Sequence, residues 1–157
     1  MRIALYQPDI APNTGAIFRL AAVLGVEVDL IEPAGFVITD RRLKRVGLDY
    51  LSELRMTRHI SWQSYLAEHN SRKTNPSRIL LLTTSGSDRY IDFDYCADDT
   101  LLLGRETAGV PKEVHDAVDA RLRIPMQLGQ RSLNVVVATA IVLGEALRQT
   151  NLWQDCV

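Results

Sequence analysis

The sequence predicts an α/β fold, a mostly parallel sheet flanked by helices, in one domain spanning residues 1–157. Three observations carry that prediction. The chain opens in strand, helix, strand order, the pattern of a right-handed βαβ unit. Further on, two short apolar runs, Leu101-Leu102-Leu103 and Leu122-Arg123-Ile124, each open into a loop rich in Gly, Pro and small polar residues. Each of those loops then feeds a helical pattern, and the last of these is apolar on nearly every side.

Taken in order, Ile3 to Tyr6 read as a first buried strand. Pro8, Pro12 and Asn13 make a loop into a helix over Thr14 to Leu24, where Ile17, Leu20, Ala21 and Leu24 recur at helical spacing. Asn13 or Thr14 is its expected cap and Gly25 its stop. Val26 to Ile31 is the second strand, turned by Glu32-Pro33-Ala34-Gly35. Thr39 to Val46 reads as a short helix capped by Thr39 or Asp40 and ended by Gly47. Leu54 to Arg58 then predicts a strand, Ser61 to Glu68 a helix, and Asn70 to Ser77 a polar connection. Arg78 to Thr83 is a further buried strand, and Thr84 to Asp99 a polar excursion containing Gly86. After the Leu101 strand, Gly104 and Gly109 bracket a loop and Pro111 falls where a helix begins. Pro125 stops the next strand, Gly129 frees the loop behind it, and Ser132 or Asn134 caps a last helix from about Ser132 to Gln149. So apolar a helix in so short a chain predicts a partner subunit as its second cover.

Composition bounds the function. A hydrophobic fraction of 46%, a charged fraction of 24% and a net charge of −1 fit a soluble globular protein with no global basic excess for nucleic acid. Lys44, Lys73 and Lys112 are the only lysines, so the positive charge is carried mainly by Arg, which grips phosphates bidentately. Cys96 and Cys156 form no CxxC or metal spacing, which predicts a reduced, cytoplasmic protein. MRIALYQPDI reads as a strand and not a cleavable signal, and the longest apolar run, Val135 to Gly144, is too short to span a bilayer.

Several kinds of chemistry lack their residues. No GxGxxG follows the first strand, and no GxSxG is present. Gly104 and Gly109 have P-loop spacing, but Val110-Pro111 stand where Lys-Ser/Thr is required. His59, His69 and His115 show no metal spacing and read as solvated or helix-end residues, so no metal is expected. What remains is main-chain chemistry: two glycine-bearing loops side by side, or simply a pair of ordinary strand-to-helix turns. In the run Asn13-Thr14-Gly15-Ala16-Ile17-Phe18-Arg19, a helix N-terminus favours anions and Arg19 projects a cation about one and a half turns further in. By these residues alone, a cap followed by a surface Arg is an equal reading.

Together, however, NTGxxxR near the start, LLGRETAGVP in the middle and RIPMxxxxxSLNVxxAxAI at the end resemble, in order and spacing, the three motifs of the SPOUT class of RNA methyltransferases. The opening YQPDIAPNTGAIFRLAAVLGVEVDLIEPAGF and the later RRLKRVGLDY look like one branch, the small tRNA 2′-O-methyltransferases acting at the wobble nucleotide, cytidine or uridine 34. The resemblance covers essentially the whole chain. It implies a deep trefoil knot in the C-terminal segment and an obligate homodimer packed through the first and last helices. It also implies S-adenosylmethionine bound in the knotted loops and released as S-adenosylhomocysteine. Cofactor contacts are implied at Leu82, Gly104, Ile124 and Ser132, with Leu133 and Met126 nearby, mostly through the main chain.

The reaction so implied is in-line transfer of the sulfonium methyl to a ribose 2′-hydroxyl. The resemblance gives the catalytic role to Arg19, as a base after transient deprotonation or as a phosphate clamp, with Asn13 positioning Arg19 or the ribose. Asn134 is expected along the methyl path, and Glu106 to shape its loop or reach across the dimer. Arg41, Arg42 and Arg45, joined by Arg55 and Arg58, are expected to meet tRNA phosphates, against the alternative of a solvated helix face. The chain departs from the pattern at Ala108 and Gly144, where members often carry a basic residue and a tyrosine that serve RNA binding. Two other readings compete: a SPOUT enzyme with another RNA target, and a non-catalytic RNA-binding dimer.

Overall fold

Seven short strands pair side by side in the computed structural model, and every pairing is parallel. The structure describes residues 1–37, 53–72 and 77–153. The strands are β1 (Arg2–Tyr6), β2 (Glu27–Ile31), β3 (Met56–His59), β4 (Ile79–Leu82), β5 (Asp88–Arg89), β6 (Thr100–Leu103) and β7 (Ala120–Arg123), in the order β3-β2-β1-β6-β4-β7-β5. Four described helices accompany them: α1 (Ala11–Val23), α2 (Trp62–Ser71), α3 (Lys112–Ala117) and α4 (Val135–Thr150). The expected helix over Thr39 to Val46, with Arg41, Arg42 and Arg45, lies outside the described residues.

The central strands are the most apolar because each is covered on both faces. In register, Leu5 lies beside Leu103 and Leu103 beside Leu82. Alternate residues then point to opposite layers. Ile3, Leu5, Leu101 and Leu103 join Ile17 and Phe18 of α1 and Val142 and Leu143 of α4. Ala4, Tyr6, Leu81 and Leu102 join Trp62 and Tyr65 of α2 and Val114 of α3.

Several boundaries differ from the sequence expectation, each for a local reason. Helix α1 starts at Ala11 with Ile10 as its N-cap, so neither Asn13 nor Thr14 caps it. Pro12 belongs to the first turn, where its missing N–H costs no hydrogen bond. The Thr14 hydroxyl donates to the Ile10 carbonyl at 3.3 Å instead. Ser61 caps α2 reciprocally with Ser64 (both bonds 3.1 Å), and the helix continues past Glu68 to Ser71. The excursion after Thr84 contains the short edge strand β5 and a 3-10 turn, Tyr90–Asp92. For the last helix Asn134 is the cap, accepting from the Val136 N–H at 2.8 Å, and Ser132 lies outside it. Helix α4 carries apolar residues on both faces, with Val142, Leu143, Ala146 and Leu147 buried and Val137 and Ile141 exposed.

The expected solvated histidines require a larger correction. His59 and His69 are both buried, at 3% and 4% exposure. The His59 Nε2 lies 2.9 Å from Oδ1 of Asp29, a carboxylate with no exposure at all. Burial alone would raise the Asp29 pKa. Hydrogen bonds from Arg2 and His59, with the nearby charge of Arg72, hold it below the ordinary carboxylate value. The donor atoms of Asp29, His59 and Glu68 lie within 4.8 Å of one another, close enough for a metal ion. Both Asp29 oxygens, though, already accept from the guanidinium groups of Arg2 and Arg72 at 2.8–3.2 Å. Two fixed cations on the same carboxylate make this a structural ion cluster.

Candidate active site

Parallel strands all end on one side of the sheet, and ligands of open α/β folds bind in crevices there. The carboxyl ends of β4, β6 and β7 are neighbours, and beyond them lies a cavity of about 470 Å³. Leu81 to Thr84 come from the end of β4, Leu103 to Glu106 from β6 and its loop, and Ile124 and Met126 from beyond β7. Ser132 to Val135, at the start of α4, close a third side, and Ile10 and Asn13 of the α1 entry form part of the rim.

Two glycines fix the loop after β6. Gly109 has φ +64°, a left-handed conformation that an L side chain resists. Its N–H and C=O exchange hydrogen bonds with Arg105 at 2.8 and 2.9 Å, pinching the loop shut. That pinch brings Gly109 so near Gly104 that a Cβ on Gly104 would sit 2.8 Å from the Gly109 carbonyl carbon. The rim is then tied to the first helix. The Asp9 carboxylate accepts from Arg105 at 2.7 Å and from the Thr107 hydroxyl, while its N–H donates to Glu106 at 2.8 Å. The Arg105 guanidinium, seconded by Thr107, holds the Asp9 carboxyl down at about 2. Glu106 accepts from Asn13 at 3.2 Å, and Asn13 in turn accepts from Asn134 at 3.3 Å. Three segments far apart in sequence thus share one hydrogen-bonded chain, Glu106–Asn13–Asn134.

Leu82, Gly104, Ile124, Met126, Ser132 and Leu133 all line this cavity, as do Asn13, Glu106 and Asn134. Arg19 does not. It is exposed on α1, six residues beyond Asn13, and about 100° per residue carries it off the Asn13 face. The sequence reading missed Thr83, Thr84 and Val110 as lining residues, and Asp9 as the clamp on the loop after β6. Threonines ending a strand carry no distinctive signal, and Asp9 and Arg105 stand 96 residues apart.

The chemistry of the lining suits a flat, partly apolar ligand. Leucine, valine and isoleucine side chains supply the walls, and strand-end and loop main chain supplies the polar groups. From Pro125 to Leu133 the main chain makes a single loop hydrogen bond among the described residues, Gln130 N–H to Gln127 C=O at 3.1 Å. The remaining peptide groups of that segment are left to solvent or ligand. An adenine ring and ribose, read mainly through peptide groups, fit this donor set.

Fold and cavity together define a parallel α/β protein with an open cavity between glycine-bearing loops at the strand ends. The chain belongs to the SpoU rRNA methylase family, whose profile matches residues 1–144. A relative from Beijerinckia indica subsp. indica, named tRNA (cytidine(34)-2'-O)-methyltransferase, is 51% identical over 147 residues, covering 94% of this chain and 90% of its own. A solved structure described as giving insights into the 2-OH methylation of C/U34 on tRNA superposes with a TM-score of 0.86 at 35% identity, over 94% of both chains. The SpoU methyltransferase AviRb from Streptomyces viridochromogenes, solved in complex with the cofactor AdoMet, has a TM-score of 0.85 at 27% identity, over 95% of this chain and 57% of that one.

Proposed function

We propose that this protein transfers the methyl group of S-adenosylmethionine to the ribose 2′-hydroxyl of nucleotide 34, cytidine or uridine, in tRNA, working in the cytoplasm as a homodimer. One observation carries the reading. Six residues from three separate stretches, Leu82, Gly104, Ile124, Met126, Ser132 and Leu133, meet in a single cavity of suitable size and lining. The relatives described above support the choice of tRNA and of position 34.

When bound, S-adenosylmethionine would supply a methyl already activated on a positive sulfur, and would leave as S-adenosylhomocysteine. The protein's remaining tasks are alignment and removal of the hydroxyl proton. Leu82, Gly104, Ile124 and Met126 would hold the adenosine portion through main chain and apolar contact, with Ser132 and Leu133 closing over it. The Glu106–Asn13–Asn134 chain fixes the rim on which the ribose must rest. Arg19 stands outside the cavity lining of its own chain. Its guanidinium therefore serves either a substrate lying over the rim or the cavity of a second copy, as phosphate clamp or as proton acceptor.

Exposed apolar side chains support the dimer. Val137 and Ile141 stand one turn apart on α4 at 49% and 37% exposure, and Ile10 is exposed at the entry to α1. Among the described residues no helix is long and apolar enough to cross a membrane. The test is transfer of labelled methyl from S-adenosylmethionine to total tRNA, followed by nucleoside mapping. A 2′-O-methylated pyrimidine at position 34 is expected. Label at another nucleotide would replace the substrate, and cofactor binding without any transfer would leave only a binding protein.

A further inference from the structure

From Ala120 to Gly144 the sequence contains no aspartate or glutamate, yet it carries Arg121, Arg123 and Arg131. Arg121 is occupied, with Nε 2.8 Å from Nδ1 of His115. Several exposed guanidinium groups among the described residues have carboxylate partners: Arg55 has Glu27 at 3.2 Å, Arg58 has Glu32, and Arg148 has Glu145 at 2.8 Å. The guanidinium groups of Arg123 and Arg131 make no ion pair or hydrogen bond with any described residue.

Their placement is specific. Arg123 immediately precedes Ile124 and Arg131 immediately precedes Ser132, and both of those neighbours line the cavity. Consecutive Cα atoms lie about 3.8 Å apart, so the backbone of each arginine adjoins the cavity wall, with Arg131 exposed and Arg123 half-buried. Between them, the Gln127–Gln130 hydrogen bond and Gly129 at φ +86° form a tight turn. That turn holds Leu128 wholly out in solvent, at 103% relative exposure. An apolar side chain lifted clear of its own protein between two uncompensated cations matches a strand of nucleotides, which offers phosphates and base faces in alternation.

We infer that the loop from Arg123 to Arg131 is a docking surface for the RNA that carries the acceptor ribose. Arg123 and Arg131 each take a backbone phosphate flanking the reacting nucleotide, and Leu128 packs on a neighbouring base. The inference rests on the proposed function and locates the substrate surface of that same site. The sequence pointed elsewhere for RNA contact, to Arg41, Arg42 and Arg45 with Arg55 and Arg58, and the last two are tied to carboxylates.

The experiment measures binding of purified total tRNA over a series of salt concentrations, for wild type, for the double variant Arg123→Gln/Arg131→Gln and for Leu128→Ser. Each phosphate contact contributes roughly 0.7–0.9 to the slope of log K against log salt, so the wild-type ratio of affinities at 50 and 200 mM salt should shrink roughly seven- to twelvefold in the double variant. Leu128→Ser should weaken binding roughly tenfold at every salt concentration without altering the slope, since apolar burial releases no counterions. Affinity for S-adenosylmethionine and molecular mass in solution should stay at wild-type values in both variants. A double variant with the wild-type slope, or a serine variant with wild-type affinity, overturns the assignment and leaves the proposed function standing. Dissociation to monomers in either variant overturns it too, because the loop would then cover a second copy. A wild-type protein without salt-dependent tRNA binding would take down the assignment and the proposed function together.

Discussion

Replacing Gly104 by alanine adds one methyl group at the floor of the cavity. Built on the backbone, that methyl meets the Gly109 carbonyl carbon at 2.8 Å, its Cα at 3.0 Å and Val110 Cγ1 at 3.0 Å. Carbon atoms pack comfortably at about 3.5–4.0 Å, so the opposing loop must retreat by roughly 0.5–1 Å. Two of the three obstacles are main chain held by the Arg105–Gly109 hydrogen bonds, and neither can rotate away as a side chain could. Overpacking of this kind costs about 1–3 kcal/mol. In a domain of this size that lowers the melting temperature by about 2–12 °C. The same retreat moves Arg105, Glu106, Gly109 and Val110, all of which line the cavity. Affinity for S-adenosylmethionine should therefore fall by roughly tenfold or more, since a misplacement near 1 Å can cost about a hundredfold at a reacting centre. Thermal unfolding and calorimetric titration read the two effects separately. Gly144→Ala is the control: its added methyl meets nothing within 4 Å, so removal of a mid-helix glycine should stabilise by about 0.5–1 kcal/mol. A Gly104→Ala protein with wild-type melting and wild-type affinity would refute the reasoning, and a lower melting temperature with intact affinity would show that this loop is not a wall of the ligand site.

Asp29→Ala strands two guanidinium groups and His59 around a missing carboxylate, and should cost about 3 kcal/mol, read as a fall in the urea midpoint. Asp9 has its carboxyl held at about 2, below the ordinary 3.8, so its clamp on Arg105 is complete above about pH 4 and is lost as pH falls toward 2. The stability difference between wild type and Asp9→Asn should accordingly be constant from neutral pH down to about pH 4 and shrink below it. Ile141→Glu places a charge on the exposed stripe of α4 and should turn the proposed dimer into a monomer by sedimentation, with the fold intact by circular dichroism. Arg19→Lys keeps the charge but loses the planar fork, and methyl transfer to tRNA should drop at least tenfold while S-adenosylmethionine still binds; near-full activity would remove both roles considered for Arg19.

What the sequence disclosed follows from the range over which each signal acts. The leucine runs that became β4 and β6 were legible because a strand covered on both faces needs nothing but apolar residues. The lining residues from Leu82 to Leu133 were legible only through motif resemblance, since their contribution to the cavity is largely peptide backbone. Pro12 misled because proline breaks a helix interior and equally suits a first turn, and only the chain's path decides which applies. His59 looked solvated because its partner Asp29 lies on the neighbouring strand, 30 residues earlier. Asp9 was silent for the same reason on a longer scale: its role exists only once the loop after β6 has arrived beside the first helix.

The pairing of β1 with β6 bears on how the chain comes to be made. Arg2 lies beside Thr100 and Leu5 beside Leu103, so the opening strand has one of its two partners nearly a hundred residues away. During synthesis β1 and β2 can meet early, but the centre of the sheet cannot close until the ribosome has released β6. For most of translation the nascent polypeptide exposes an apolar strand edge, the kind of surface on which chaperones act and aggregates grow.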